Sequence, residues 1–200
     1  MDRLRGLFGR ILLSRRQSRG CVATLLCSCA LLFLSFCKNG LTPEMIRPAD
    51  IQPGTNVALQ SNGGAATASS VGSYSGYVGY AGRGNDGDTT NEGWCGTSIP
   101  AWLRVQFDRA YTIDTVRIHW GSHQQTFSVS LSTDAASWTT VVSSRQSPNS
   151  EGESGGQTYS ITPTNARYIR VYVTATSAPH SHIFQAIVSE LEAISSGARP

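Results

Sequence analysis

Asn85-Asp86-Gly87-Asp88-Thr89-Thr90 crowds two carboxylates and several freed backbone carbonyls into one bend. Hard cations such as calcium bind oxygen ligands only and take this mixture of carboxylate and carbonyl. The same residues also suit a plain turn, because Gly supplies backbone freedom and Asp bonds its own main chain. A second kind of chemistry lies just upstream, in Tyr74-Ser75-Gly76-Tyr77-Val78-Gly79-Tyr80. A loop tyrosine can stack on the C–H face of a sugar while polar neighbours bond its hydroxyls. Tyr74 is the first candidate. His123, in a short break between apolar segments, could donate to a sugar hydroxyl or simply be solvated. His180 and His182 fall together before the last strand-like segment and join the list of loop-borne ligand residues.

Catalysis needs a nucleophile, or an acid and a base held in a pocket. The chain has no serine-nucleophile motif, metalloprotease helix or phosphate loop. Asp86 and Asp88 resemble an acid–base pair, but a turn that spends them on calcium leaves neither for proton transfer. The expectation is a non-catalytic protein.

Period-two alternation runs through the elements that must position these residues. Leu103, Val105 and Phe107 alternate with Arg104 and Gln106. Val116, Ile118 and Trp120 alternate with Arg117 and His119, and Phe127, Val129 and Leu131 with Ser128 and Ser130. Ile169, Val171 and Val173 alternate with Tyr168, Arg170 and Tyr172. Near the end Ile187, Ser189, Leu191 and Ala193 alternate with Val188, Glu190 and Glu192, which predicts a polar face for Glu190. These are half-buried strands. Gly-, Ser-, Asn- and Pro-rich breaks such as 143–156 separate them, and no segment after Gly54 keeps a helical period. Short strands at this spacing predict an all-β fold, a sandwich or jelly roll.

The first 53 residues are different. Six arginines, from Arg3 to Arg19, precede an uncharged apolar run at residues 22–36. That is the form of a secretory signal, and it is short for a spanning helix, which wants about 20 apolar residues. Leu34-Ser35-Phe36-Cys37 resembles the lipobox of bacterial lipoproteins, departing from it at Phe36, where a small residue is usual. A lipoprotein, an uncleaved signal anchor and ordinary secretion all stay open, and each places the domain outside the cytoplasm. Residues 1–37 are therefore read as leader, 38–53 as a Pro-containing tether, 54–195 as the domain and 196–200 as a tail. Residues 1–53 carry net charge +5 and residues 54–200 carry −2. The folded part thus lacks the dense Lys and Arg that phosphate-backbone binding requires, which excludes nucleic acid. Cys95 is the one cysteine of the domain, so no intradomain disulfide can form.

Eight segments carry a resemblance. In order they are Asn56-Val57-Ala58-Leu59, Ala66-Thr67-Ala68-Ser69-Ser70, the Asp86 turn with Trp94, and 102–107. Ile113-Asp114-Thr115-Val116-Arg117-Ile118, Ser132-Thr133-Asp134 with Trp138, 166–171 and Ser189-Glu190-Leu191-Glu192 follow. Together they resemble the discoidin family (coagulation-factor C-type domains), which includes the family 32 carbohydrate-binding modules. The resemblance implies one antiparallel jelly-roll sandwich of about eight strands that takes ligands on loops at one end. It also implies a structural Ca2+ held by the Arg83 carbonyl, the Asp86 side chain, the Asp88 carbonyl, Thr97 (or Ser98), the Ser189 carbonyl and Glu190. It makes Tyr77, Trp94, Trp102 and Trp138 packing residues. In galactose-binding members a loop His acts with an Arg and an Asn. Here that segment is Gly-Ser-His-Gln-Gln-Thr, with neither, which puts galactose itself in doubt. The function implied is a membrane-anchored, extracytoplasmic carbohydrate-binding module whose partner is a glycan or glycoconjugate. The alternative is a discoidin domain that binds a surface protein or a lipid headgroup in adhesion or as a scaffold.

Overall fold

The computed structural model describes residues 51–148, 156–179 and 183–198. The chain divides into two units, Met1–Pro48 and Ala49–Pro200, and every described residue belongs to the second. The leader and most of the tether lie outside the described residues. None of the described helices is long and apolar enough to cross a membrane.

The described part is all-β, with nine strands. They are β1 (Ala65–Ala68), β2 (Ser73–Tyr74), β3 (Tyr77–Val78), β4 (Trp94–Gly96), β5 (Ala101–Trp120), β6 (Gln125–Ser132), β7 (Thr139–Gln146), β8 (Gln157–Thr176) and β9 (Ala186–Ser195). Seven of them form a single antiparallel sheet in the order β4-β9-β5-β8-β6-β7, with β1 added on β5. β2 and β3 form a separate hairpin. β5 and β8 are each 20 residues long and run side by side. Their pairing shifts register between Gln106 and Tyr111 and again between Ile113 and Thr115. Such irregularities bend a ribbon, and they divide it into two halves. The first half of β5 pairs β1 and the second half of β8, which carries β6 and, through it, β7. The second half of β5 pairs β9, which carries β4. The Tyr111 ring holds the corner, meeting Phe107 edge-on with centroids 6.2 Å apart while its hydroxyl donates to Asp108 at 2.6 Å.

One core joins the inner faces of both halves. Leu103, Val105, Phe107, Val129, Ile169 and Val171 come from the first half, and Ile113, Val116, Ile118, Val188, Leu191 and Ala193 from the second. This is the jelly-roll sandwich that the alternation implied. Ile51, in the segment read as tether, also packs on this core.

Four local expectations change. Trp102 and Trp138 are not core residues. Trp102 sits between buried Ala101 and Leu103, so a pleated strand turns it to the outer face. Trp138 lies over Arg170 on the same side. Residues 143–146, read as part of a break, complete β7, an edge strand whose polar, exposed residues hide its pattern. Glu190 has no solvated face. Nearly all of β9 is covered on both sides, and Glu190 is only 1 % exposed.

The loop end of the second half is fastened by Gln125. Its amide nitrogen donates to the Ile187 carbonyl at 2.6 Å, and its amide oxygen accepts from the Ile187 N–H at 3.1 Å. Gly121 completes the contact, since a Cβ there would lie 2.1 Å from the Ile187 side chain. Gln125→Leu leaves both Ile187 backbone groups buried without partners, a cost of about 1–3 kcal/mol each. Thermal melting should fall by roughly 10 °C. A variant melting within a few degrees of the parent would show that this clamp does not hold the loop end.

Candidate functional site

The loop end is built around the β2–β3 hairpin. Its turn residues, Ser75 and Gly76, have φ of 48° and 86°, the left-handed pair that a tight two-residue hairpin turn demands. The two tyrosines that face each other across it divide the work. Tyr74 is 62 % exposed. Tyr77 is tucked in, with its hydroxyl donating to the Gly93 carbonyl at 2.6 Å and its ring edge-on to Phe184 at 6.1 Å. Arg83 covers the same ring at 4.9 Å.

Gly72 leads into the hairpin and lies against Phe184 and Thr97; a Cβ on it would meet the Phe184 ring at 2.7 Å. The chain neighbours of this contact, Val71 and Ile183, are 45 % and 43 % exposed. Beside it opens a groove of about 420 Å³ lined by Thr97, Ser98, Ile99, Ala175, Thr176 and Gln185. Thr97 and Ser98, expected beside a metal, line this groove instead. The β4–β9 register sets Trp94 opposite Val188 and Gly96 opposite Ala186, so Thr97 runs away from Glu190.

His123 sits half-buried in the β5–β6 connection. Around it, Gln124 exchanges hydrogen bonds with Ser177, and Gln125 exchanges them with Ser147. The frame under the loops is therefore fixed by backbone and amide bonds, while Tyr74 stands clear of it. His180 and His182 lie outside the described residues. Val71, Ile183 and Gln185 had no sequence signal, because they belong to no motif and reach the loop end only through the fold.

The acidic turn meets the last strand. The Gly87 N–H donates to Glu190 Oε2 at 3.2 Å, across 103 positions of chain. Glu190 Oε1 is buried and has no hydrogen-bond partner. Asn85, fully buried just before the turn, donates to the Ala58 and Gly64 carbonyls and leaves its own Oδ1 unpartnered. The Asp88 carboxylate is spent on Thr90 and Asn91, whose hydrogen bonds hold it below the usual carboxylate range. Only the Asp88 carbonyl stays available to a ligand. Gly93 brings the other wall close, since a Cβ there would lie 2.5 Å from the Ser189 carbonyl oxygen. Arg83 is in the short 3-10 turn Ala81–Gly84 that leads into the bend.

Buried oxygens without donors are what a hard cation stabilises. The oxygens of Arg83, Asp86, Asp88, Ser189 and Glu190 are of the donor type that calcium would require, while Thr97 lines the groove instead. Among the described residues no three His, Cys, Asp or Glu side chains form a metal cluster; this set rests on two carboxylates and backbone carbonyls. Tyr77 and Cys95 are both pushed up to about 12, with burial the largest cause. Both stay protonated, so the Cys95 thiol is no nucleophile.

The sequence profile of the F5/8 type C domain matches residues 65–186. The chain belongs to the F5/8 type C domain family. Among curated proteins, no sequence matches it. Solved structures similar to this F5/8 type C domain include chitosan-binding module 1 of a chitosanase/glucanase from Paenibacillus sp. IK-5. That module is 26 % identical, covering 70 % of this chain and 98 % of its own, with a TM-score of 0.55. The CBM32 of AlyQ, solved with 4,5-unsaturated mannuronic acid, is 24 % identical over 72 % of this chain and 98 % of its own, with a TM-score of 0.55. A pectin-binding carbohydrate-binding module is 21 % identical over 74 % of this chain and 96 % of its own, with a TM-score of 0.57.

Burial of Glu190 leaves a measurable trace. Burial first, then the Asp86 and Glu192 carboxylates, push its carboxyl from 4.5 up to about 7, against the opposing bond from Gly87. A carboxyl with a higher pKa folded than unfolded binds more protons in the folded state. Its contribution is therefore lost as pH rises from about 4.5 to about 7. Asp88 and Asp134 shift the other way and act at lower pH, below the ordinary aspartate value of 3.8. In chelator, urea unfolding of the F5/8 type C domain should weaken across the Glu190 window on the order of 3 kcal/mol. Glu190→Gln should flatten the profile there. Identical profiles for the two proteins would mean that Glu190 is not the buried acid described.

Proposed function

We propose that this protein is an extracytoplasmic, non-catalytic carbohydrate-binding module that takes its glycan at the loop end. The observation that carries the reading is the exposed Tyr74 ring on a preformed hairpin, whose root at Gly72 adjoins the Thr97–Gln185 wall of an open groove. A ring that faces solvent on a fixed hairpin loses little entropy on binding and offers a flat stacking face. Hydroxyls and amides of Thr97, Ser98, Thr176 and Gln185 supply bonding partners for sugar hydroxyls. The similar structures support the reading, since they are carbohydrate-binding modules. His123 belongs to the same end, and His180 and His182 fall in the stretch that precedes Ile183.

Calcium is part of the proposal, in a structural role. The Arg83 carbonyl, Asp86, the Asp88 carbonyl, the Ser189 carbonyl and Glu190 would hold it, and its charge would balance a buried carboxylate whose Oε1 otherwise has no partner. The leader is proposed to display the domain at a membrane through Cys37. Mass spectrometry of the mature protein should find an acylated Cys37 at its start. An intact Met1, or a start well beyond Cys37, would replace that anchor with a signal anchor or with secretion.

A glycan array probed with residues 49–200, with and without calcium, tests the main claim. A single stacked ring and a few exposed hydrogen bonds correspond to a dissociation constant on the order of 0.1–1 mM, or about 4–5.5 kcal/mol. Tyr74→Ala should remove most of the binding and leave the melting temperature unchanged. Asp86→Ala should abolish calcium-dependent melting. Binding to no glycan at high protein density would leave the adhesion or scaffold reading in front.

A further inference from the structure

The outer face of the first half-sheet carries a feature that neither the core nor the loop end uses. Arg104 and Arg170 are direct cross-strand partners on β5 and β8. Like charges placed opposite each other on neighbouring strands repel. Four aromatic rings hold them there. Arg170 lies 4.2 Å from the Trp138 ring centroid and 5.7 Å from that of Tyr172. Arg104 lies 5.4 Å from the Trp102 centroid and 6.0 Å from that of Tyr168. The rest of the row is hydroxyl, with Thr67 beside Arg104 and Ser130 beside Arg170.

Among the described residues no carboxylate answers the two guanidiniums. The described ion pairs are made by Arg117 and His119 with Glu192, on the other half. At the margins of the face, Asp108 accepts from the Tyr111 hydroxyl and Asp134 caps its own turn at Ala136 and Ser137. Arg104 Nε donates to the Thr67 hydroxyl, and Arg170 Nε is buried with no acceptor at all. A buried donor without an acceptor is costly. Burial, with Arg104 beside it, holds the Arg170 guanidinium below its usual pKa, against the opposite pull of Tyr172.

The occupant whose charge complements this unpaired arginine pair is an anion with a flat, C–H-rich body. Guanidinium forks match carboxylates in two parallel hydrogen bonds, and the half-buried rings around them supply an apolar border for pyranose C–H groups. Two arginines are too few for a nucleic-acid track, which needs a charge at nearly every phosphate. The face also lacks the protruding apolar side chains that would enter a membrane. We infer that Arg104 and Arg170, between Trp102, Tyr168, Tyr172 and Trp138, form a second binding face, separate from the loop end, for an acidic polysaccharide of uronate type.

Oligogalacturonate titrated into the full chain at low and high salt tests this, with neutral dextran, oligo-dT and phosphatidylserine vesicles as controls. Oligogalacturonate should bind, and added salt should weaken it because attraction between charges at a solvent-facing surface is screened. Arg104→Gln and Arg170→Gln should each weaken it about tenfold, the loss expected for one charge-assisted contact. Tyr74→Ala should leave it unchanged, so failure here is distinguishable from failure of the loop-end reading. If Arg170→Gln lowers the melting temperature, Arg104→Gln and Tyr168→Ser carry the test, since each leaves the stacked Arg170 in place. The inference is overturned if the Arg104 variant binds like the parent. It is equally overturned if Tyr74→Ala alone removes binding, or if oligo-dT or the vesicles bind as well as the uronate.

Discussion

The constraint on which the structure depends is that β5 and β8 each serve both halves of the sandwich. A 20-residue strand cannot stay flat over a core, and the register breaks near Tyr111 turn this ribbon over. Once it has turned, the two inner faces meet and the main core closes, with no disulfide among the described residues. Every other strand is then assigned its place by pairing with one half of the ribbon or the other. The connections β5–β6 and β8–β9 come out at one end, beside the β2–β3 hairpin, with Gln125 binding the first of them to the start of β9.

That arrangement separates what must hold from what can bind. Amide and backbone bonds through Gln124, Gln125, Ser147 and Ser177 fix the floor of the loop end. Tyr74 projects from it at no expense to the core. The acidic turn belongs to the fixed part, since its bond to Glu190 ties residues 85–88 to the final strand. The outer face with Arg104 and Arg170 is a third region, flat where the loop end is grooved and cationic where the acidic turn is anionic.

Alternation made most of the fold legible. Leu103, Val105 and Phe107, and likewise Ile169, Val171 and Val173, are all fully buried. The same parity already contained the correction for Trp102, which sits out of step with Leu103, and it put Arg104 and Arg170 on the outer side. β7 was not legible, because an edge strand with exposed Thr and Ser residues has no hydrophobic period to read. For Glu190 the solvated alternative is the one that fails: β9 is covered on both faces, and a carboxylate on its second face is buried. Among the candidate residues, Tyr74 and the Asp86 turn were singled out by residue type alone. Thr97 was misplaced because its direction depends on the β4–β9 register, which no local pattern encodes. The pairing of Arg104 with Arg170 depends on register in the same way.

The claim that the loop end is the glycan site is tested most directly by mapping amide chemical shifts during titration with a neutral oligosaccharide. The account predicts shifts confined to Val71–Tyr74, Thr97, Ser98, His123 and the residues around Gln185, with the amides of β8 that flank Arg170 unmoved. Shifts concentrated on the outer face of β5 and β8, or spread along the strands with the hairpin silent, would contradict it.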